Sequence, residues 1–502
     1  MNEDMDKPRD TDMRWVFALL AAYFLVQIAV RLAMPPTLGL DEAEQAFRSQ
    51  WLAAGYGPQP PFYNWLQYAV FSLGGVSLLS LAVVKNALLF TSYLLYGLTA
   101  RMILKNSTLA AIATLGLLTL PQVAFEMQRD LTHTVAVFFS GSVFLYGFIR
   151  SLKKPDMLSY LVTGVGIGFG LLSKYNFALL PASALLAALL DPPMRKRVFD
   201  WRTVVTAVTA FLITLPHLFW LKDNLGFATA RTLEKLTDSG NASYAMQVVM
   251  GSGSLVLAVI GFCAVTLLVF AVAFGKPFLS AFSGRSAWTR LLERMMLFSI
   301  LGILLLVLFG GAAHVKDRWL VPLFFIIPLY LCLKIEASHV EYSNPLRRLL
   351  PILAIIMIAV PGILFGRIAA ATLNGDYERL NMPYAQLAAA LRQQGEPAAV
   401  LAEGSLLAGN LRKDLLPATV ISTDYPGFKP AVSISKEHPL LIVWPLGAAE
   451  GNALPGRAAE WLKSVPDLSS IAPEISMIEV PYYYARNGDS YRFGYAWVAP
   501  AD

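Results

Sequence analysis

Three carboxylates stand within four positions in the stretch Leu40-Asp41-Glu42-Ala43-Glu44. They follow an apolar run, Arg14 to Met34, that reads as a membrane span. Carboxylates at a bilayer surface can take up a proton or hold a cation. Their place between water and headgroups suits a substrate that is part sugar and part lipid. A solvated loop cap is the plainer reading of an isolated Asp-Glu pair. Lys174 sits between two apolar runs, where a lysine costs roughly 2.5–3.5 kcal/mol at mid-bilayer and so calls for an anionic partner. Snorkelling to the interface is its alternative. Lys85, inside the second apolar run, needs a partner within the bundle or must reach toward the cytoplasmic surface. Arg129-Asp130 and Lys316-Asp317-Arg318 place further charge in short turns. His133 and His314 lie near Asp130 and Asp317, but five histidines without close spacing do not make a zinc site.

The elements that must position these groups are mostly membrane helices. Hydrophobic residues are 56% of the 502 and charged residues only 15%, which places the chain among polytopic membrane proteins. Hydropathy predicts roughly eleven spans, near 14–34, 76–100, 107–122, 132–149, 157–173, 175–190, 203–220, 249–274, 295–311, 319–333 and 348–366. The first has no small-residue cleavage site and is expected to be retained. The net charge of +6 is concentrated in short loops between spans, a pattern of membrane orientation and not of nucleic-acid binding. Arg101, Arg150, Lys153, Arg195–Arg197, Arg290 and Arg347 mark the expected cytoplasmic side, together with the N-terminus. The Asp41 loop, the 123–131 turn, Ser173-Lys174, the 221–248 loop, the 312–318 turn and everything after 366 then face outward. Cys263 and Cys332 suggest neither a disulfide framework nor a thiolate metal site.

Residues 1–366 therefore read as a transmembrane domain whose first external loop, 35–75, is rich in proline and aromatics. Ala43–Ala53 has the spacing of an amphipathic helix lying in the membrane interface. Tyr63, Trp65 and Tyr68 can anchor a second one, although an ordinary aromatic belt would look the same. Residues 367–502 are more polar and read as a small α/β domain. A helix is expected over Met382–Gln393 and strands over Ala398–Ala402, Ala418–Ser422 and Leu440–Trp444. Tyr482–Arg486 and Tyr491–Val498 flank the hairpin signal Asn487-Gly488.

Asp41-Glu42 followed by Pro60-Pro61-Phe62-Tyr63-Asn64-Trp65 resembles the first external loop of the polytopic GT-C glycosyltransferases. It is most similar to families 39 and 83, which include protein O-mannosyltransferases and the lipid A aminoarabinose transferase. Arg129-Asp130, Leu172-Ser173-Lys174-Tyr175 and Lys316-Asp317-Arg318-Trp319-Leu320-Val321-Pro322 match further family signatures in order. The basic residue common before the two prolines is replaced by Gln59. The resemblance implies a mostly α fold: a GT-C-like helical bundle, interfacial helices in its first external loop, and a small extracytoplasmic α/β domain. It implies an inverting transfer of sugar from a polyprenyl-phosphate donor, on the outer face of a bacterial inner membrane, to a glycolipid or protein acceptor. Lipopolysaccharide is the favoured acceptor. Asp41 would be the base, with Glu42 its helper. Lys174, Arg318 and Arg129 would hold the donor phosphate, with Asp130, Tyr63, Gln59 and Lys85 lining the pocket. A Mg²⁺ or Mn²⁺ ion on Asp41 is an open alternative. Protein O-glycosylation, flipping of a lipid-linked sugar, and a non-catalytic envelope scaffold are the competing readings. The absence of paired halves weighs against a transporter.

Overall fold

The computed structural model describes residues 11–237, 243–446 and 453–500. Among them, eight helices are long and apolar enough to cross a membrane: Met13–Ala33, Leu78–Ile103, Thr132–Lys153, Thr203–Thr229, Tyr244–Phe274, Ala287–Gly310, Val321–Ser338 and Pro345–Asn374. A ninth candidate is the pair Ser107–Thr119 and Gln122–Arg129, bent by 66° at its break. Met157–Leu171 and Tyr175–Leu189 are shorter apolar helices. Every segment expected as a span is thus helical. Residues 221–237 and 244–248 are helix and not the loop expected from hydropathy. Thr203–Thr237 continues as helix across a kink at Asn224, and Tyr244 opens the next helix. Residues 238–242 lie outside the described set.

The described chain divides into two compact units. The first comprises residues 1–26, 53–63 and 85–360 and holds most of the bundle. Here Thr132–Lys153 and Met157–Leu171 pack backbone to backbone. A Cβ at Gly166 would lie 2.4 Å from the Phe144 nitrogen. Only glycine permits that approach.

The second unit comprises residues 27–52, 64–84 and 361–502. The sequence boundary at 366 therefore does not bound this unit, because two pieces of the early chain belong to it. Its five strands are β1 (Ala399–Ala402), β2 (Thr419–Ser422), β3 (Leu440–Pro445), β4 (Ser476–Pro481) and β5 (Ser490–Val498). They order as β2-β1-β3-β5-β4, with β2-β1-β3 parallel and β3-β5-β4 antiparallel. Alternate side chains of β1 and β3 enter two cores: Val400, Ala402, Leu441 and Val443 on one face, Ala399, Leu401, Leu440 and Ile442 on the other. The hairpin turn carries positive φ at Asn487 (52°) and Gly488 (81°), as its sequence requires. Tyr482–Arg486, expected as strand, belongs to the connection, since β4 ends at Pro481.

The helix Leu40–Arg48 corrects a further expectation. Its apolar residues do not face lipid. Ala43, Ala46 and Phe47 are fully buried. Phe47 joins the sheet core and meets Trp51, Tyr425 and Phe428 edge to face. A Cβ at Gly409, in the helix Ser405–Asp414, would fall 1.9 Å from the Ala43 carbonyl oxygen. An apolar helix face suits lipid and protein alike; here it covers the domain at the other end of the chain.

Gly409→Val should therefore unseat the Leu40–Arg48 helix. We expect a loss of about 1–3 kcal/mol of stability, read as a lower Tm of the purified protein, with Gly409→Ala intermediate. Asp424 supplies a pH test of the same domain. Burial pushes its carboxyl up, but the Ser405 and Ser422 hydroxyls and the Ser405 amide outweigh burial and hold its pKa below the ordinary value. A depressed carboxylate stabilises the fold above its unfolded pKa, and that contribution is lost as pH falls through the folded one. Asp424→Asn should lower Tm at pH 7, and the gap from the wild type should narrow below about pH 4.

Candidate active site

In the second unit, Glu42 and Asp41 are adjacent on a helix but do different things. Glu42 is buried, accepts the Gly39 amide at 3.0 Å and receives Arg31 through Nε (3.1 Å) and Nη2 (2.6 Å). Arg31 also donates to the Pro35 and Thr37 carbonyls at 3.2 and 2.8 Å. This bidentate pair fixes the start of the helix. Asp41 is half-buried and shares a stripe with Gln45 and Arg48 at helical spacing. Arg48 pairs with Glu44 and stands 5.8 Å from the Tyr425 ring centre.

Beside that stripe lies a row of buried amides that sequence reasoning missed. Asn64 Nδ2 donates to Gln45 Oε1 at 2.9 Å. Gln67, one turn beyond Asn64, is fully buried. Both of its amide atoms, with Gln45 Nε2 and Asn64 Oδ1, lack a hydrogen-bond partner among the described residues. Two amides at helical spacing in the apolar segment Phe62–Gly74 were the available signal.

In the first unit, most of the remaining expected residues converge on residues 122–134. Five residues, Gln122–Glu126, form a π-helical turn, and Leu131 takes a left-handed φ of 70°. Bulky side chains avoid that region, so this backbone is strained. Lys85 Nζ donates to the Gln128 carbonyl at 3.1 Å, while the Gln128 side chain donates to Asn86 Oδ1 at 2.9 Å. The buried Lys85 thus finds its partner in this turn and does not reach toward the basic-loop side, one of the two routes expected for it. Lys174 Nζ donates to Thr134 Oγ1 at 2.6 Å. The Tyr63 and His133 rings lie 6.2 Å apart, both buried. Gln122 Nε2 donates to Asp317 Oδ2 at 2.8 Å, tying in the turn that carries the half-buried Arg318. Arg129 pairs with Glu126 at 2.6 Å and is partly exposed, as is Asp130. Gln59 is half-buried in the same unit, ahead of the helix whose first amide, Phe62, donates to the Leu172 carbonyl at 2.9 Å.

Irregular backbone within so apolar a chain survives only where protein or a polar cavity satisfies it. An arrangement of cations around such a turn can hold an anionic group. Residues 58–220 match the family model of dolichyl-phosphate-mannose-protein mannosyltransferases. The lipopolysaccharide core galacturonosyltransferase RgtB of Rhizobium johnstonii is 64% identical over 98% of this chain and 99% of its own length. The chain belongs to this galacturonosyltransferase family. RgtA of the same organism, also a lipopolysaccharide core galacturonosyltransferase, is 44% identical over 96% of this chain and 97% of its own. The solved structure of ArnT from Cupriavidus metallidurans bound to undecaprenyl phosphate superposes with a TM-score of 0.59 at 14% identity, covering 96% and 98% of the two chains. At that identity the likeness is one of fold. This family member is a membrane glycosyltransferase of GT-C architecture.

Among the described residues no three His, Cys, Asp or Glu side chains gather as a donor set. A divalent ion on Asp41 would draw its further donors from the substrate phosphate and water, and no catalytic step is routed through one.

Two outcomes follow from this geometry. Glu42→Ala should cost about 3–5 kcal/mol of stability by leaving Arg31 without its buried partner, measurable by thermal unfolding. Leu131→Gly should keep or raise Tm, because glycine escapes the left-handed cost of about 1–2 kcal/mol that leucine bears, and Leu131→Val should lower it, because a β-branched residue fits that region worse still.

Proposed function

We propose that this enzyme transfers a galacturonosyl residue from a polyprenyl-phosphate donor to the lipopolysaccharide core, on the outer face of the bacterial inner membrane. End-to-end identity of 64% to a lipopolysaccharide core galacturonosyltransferase carries the choice of sugar and acceptor. The basic loops support a cytoplasmic N-terminus, which puts the 35–75 loop and residues 367–502 outside. The irregular turn ringed by Lys85, Lys174 and Arg129 suits a substrate with both a phosphate and a uronic carboxylate.

In this reading the Asp41 carboxylate takes the proton of an acceptor hydroxyl. That oxygen attacks the anomeric carbon from the face opposite the phosphate, forming the new glycosidic bond. The bond from the anomeric carbon to the phosphate oxygen breaks, its electron pair leaves on the lipid phosphate, and the anomeric configuration inverts. Lys174 and Arg318 stabilise the charge that grows on the phosphate, an interaction stronger in the transition state than before it. Arg129, partly neutralised by Glu126, is the third candidate for that role. Glu42 acts through the helix start that it fixes. Tyr63, Gln59, Asp130 and Lys85 are the proposed pocket residues.

Mass spectrometry of the envelope glycolipids, with and without the gene, should show the loss of hexuronic acid from the core. Unchanged glycolipids would refute the reading. Asp41→Asn should lower kcat by about 10²–10⁴-fold while Tm is kept. Lys174→Met should lower kcat/KM by at least about tenfold, and full activity in that variant would remove Lys174 from the phosphate site.

A further inference from the structure

A cavity of about 260 Å³ lies within the first unit at the end of the bundle where the basic loops gather. Phe144, Phe148 and Leu152 line it from the second half of the helix Thr132–Lys153, and Tyr160, Thr163 and Ile167 from successive turns of Met157–Leu171. Arg197 stands among its lining residues. Five lining residues carry hydroxyls, and each hydroxyl donates to a backbone carbonyl: Ser151 to Phe148, Tyr160 to Arg197, Thr163 to Ser159, Thr203 to Val198 and Thr206 to Tyr160. Their donors are spent within the protein. The cavity therefore offers hydrocarbon to an occupant, and a polar molecule would lose its own hydrogen bonds on entering.

The rim has the opposite character. Arg195, Lys196 and Arg197 are exposed and have no carboxylate partner among the described residues. The nearby acids are taken by other arginines: Asp156 by Arg150, Asp200 by Arg202 and Asp191 by Arg290. Phe199 and Trp201, 75% and 65% exposed, place this rim at headgroup depth. An apolar slot under uncommitted cations matches one amphiphile: a hydrocarbon chain with an anionic head.

We propose that this cavity binds an acyl chain of an anionic phospholipid of the cytoplasmic leaflet, its phosphate at Arg197. The side assignment rests on the orientation proposed above. A phospholipid is favoured over the polyprenyl donor because the donor phosphate is assigned to the opposite face. The site is separate from the transfer chemistry and would anchor the basic end of the bundle.

The test uses the purified full-length protein, titrated with dioleoylphosphatidylglycerol and dioleoylphosphatidylcholine and read by native mass spectrometry. Phosphatidylglycerol should bind more tightly, and Arg197→Gln should weaken it by about fivefold, the worth of one cation near a headgroup, without changing phosphatidylcholine. Ile167→Phe, which narrows the slot, should weaken both. Arg197 is exposed, so its variant stays informative even where Ile167→Phe fails to fold. Equal binding of the two lipids, no effect of Arg197→Gln, or displacement of phosphatidylglycerol by undecaprenyl phosphate would each overturn the proposal. Orientation is read separately, by labelling a Lys196→Cys variant with an impermeant maleimide in intact cells. No labelling supports the cytoplasmic leaflet, and labelling overturns it. Glycosyl transfer does not enter this readout, so a failed galacturonosyl reading and a failed lipid site give different results.

Discussion

The seat of the Leu40–Arg48 helix on Gly409 is the constraint on which the second unit depends. The Ala43 carbonyl approaches so closely that no side chain fits at 409. Side-chain amides lock the same contact on either side. Asn410 accepts from the Leu38 amide at 2.8 Å and donates to the Leu38 carbonyl at 3.3 Å. Gln50 does the same with Val420, at 2.9 Å in each direction. Each bracket mimics a strand pairing for a stretch of chain that has none. Phe47 then buries its ring in the sheet core. The carboxylates of the first loop are held by the domain that the chain makes last, which gives that domain a role in positioning Asp41.

The first unit solves a different problem. A turn of irregular backbone in an apolar chain exposes polar groups that lipid cannot satisfy. Around 122–134 Lys85 takes up the Gln128 carbonyl, while the Gln128–Asn86 and Gln122–Asp317 bonds pair the polar side chains of the same turn. The same solution collects cations in one place. Residues that satisfy this turn are thus also the ones proposed to meet the donor, so a variant there is read by both stability and kinetics.

The adjacent carboxylates illustrate how one residue of helical rotation separates roles. Glu42 points into Arg31 and the helix start, whereas Asp41 lies on the stripe with Gln45 and Arg48. Gln45 of that stripe accepts from the buried Asn64 amide, and Gln67 is buried one turn beyond Asn64 along its helix. A buried amide without a partner costs the fold free energy, and natural chains carry few such groups.

Legible in the sequence alone were the eleven apolar segments, four of the five strands (all but β4, Ser476–Pro481) with the Asn487-Gly488 turn, and the family signatures at Asp41, Lys174 and Arg318. These are local properties: length, period and short motifs carry them wherever the chain goes. The sequence did not show that Thr203–Thr237 runs on past 220, because polar residues lowered the hydropathy although helix resumes beyond the kink at Asn224. Nor did it show that the apolar face of Leu40–Arg48 meets a sheet domain and not lipid, that Lys85 turns to Gln128, or that Gln45, Asn64 and Gln67 form a row. Those facts belong to pairs far apart in the chain, such as Leu38 and Asn410, 372 residues apart. Amphipathicity says that a face is buried, and only the folded chain supplies what buries it.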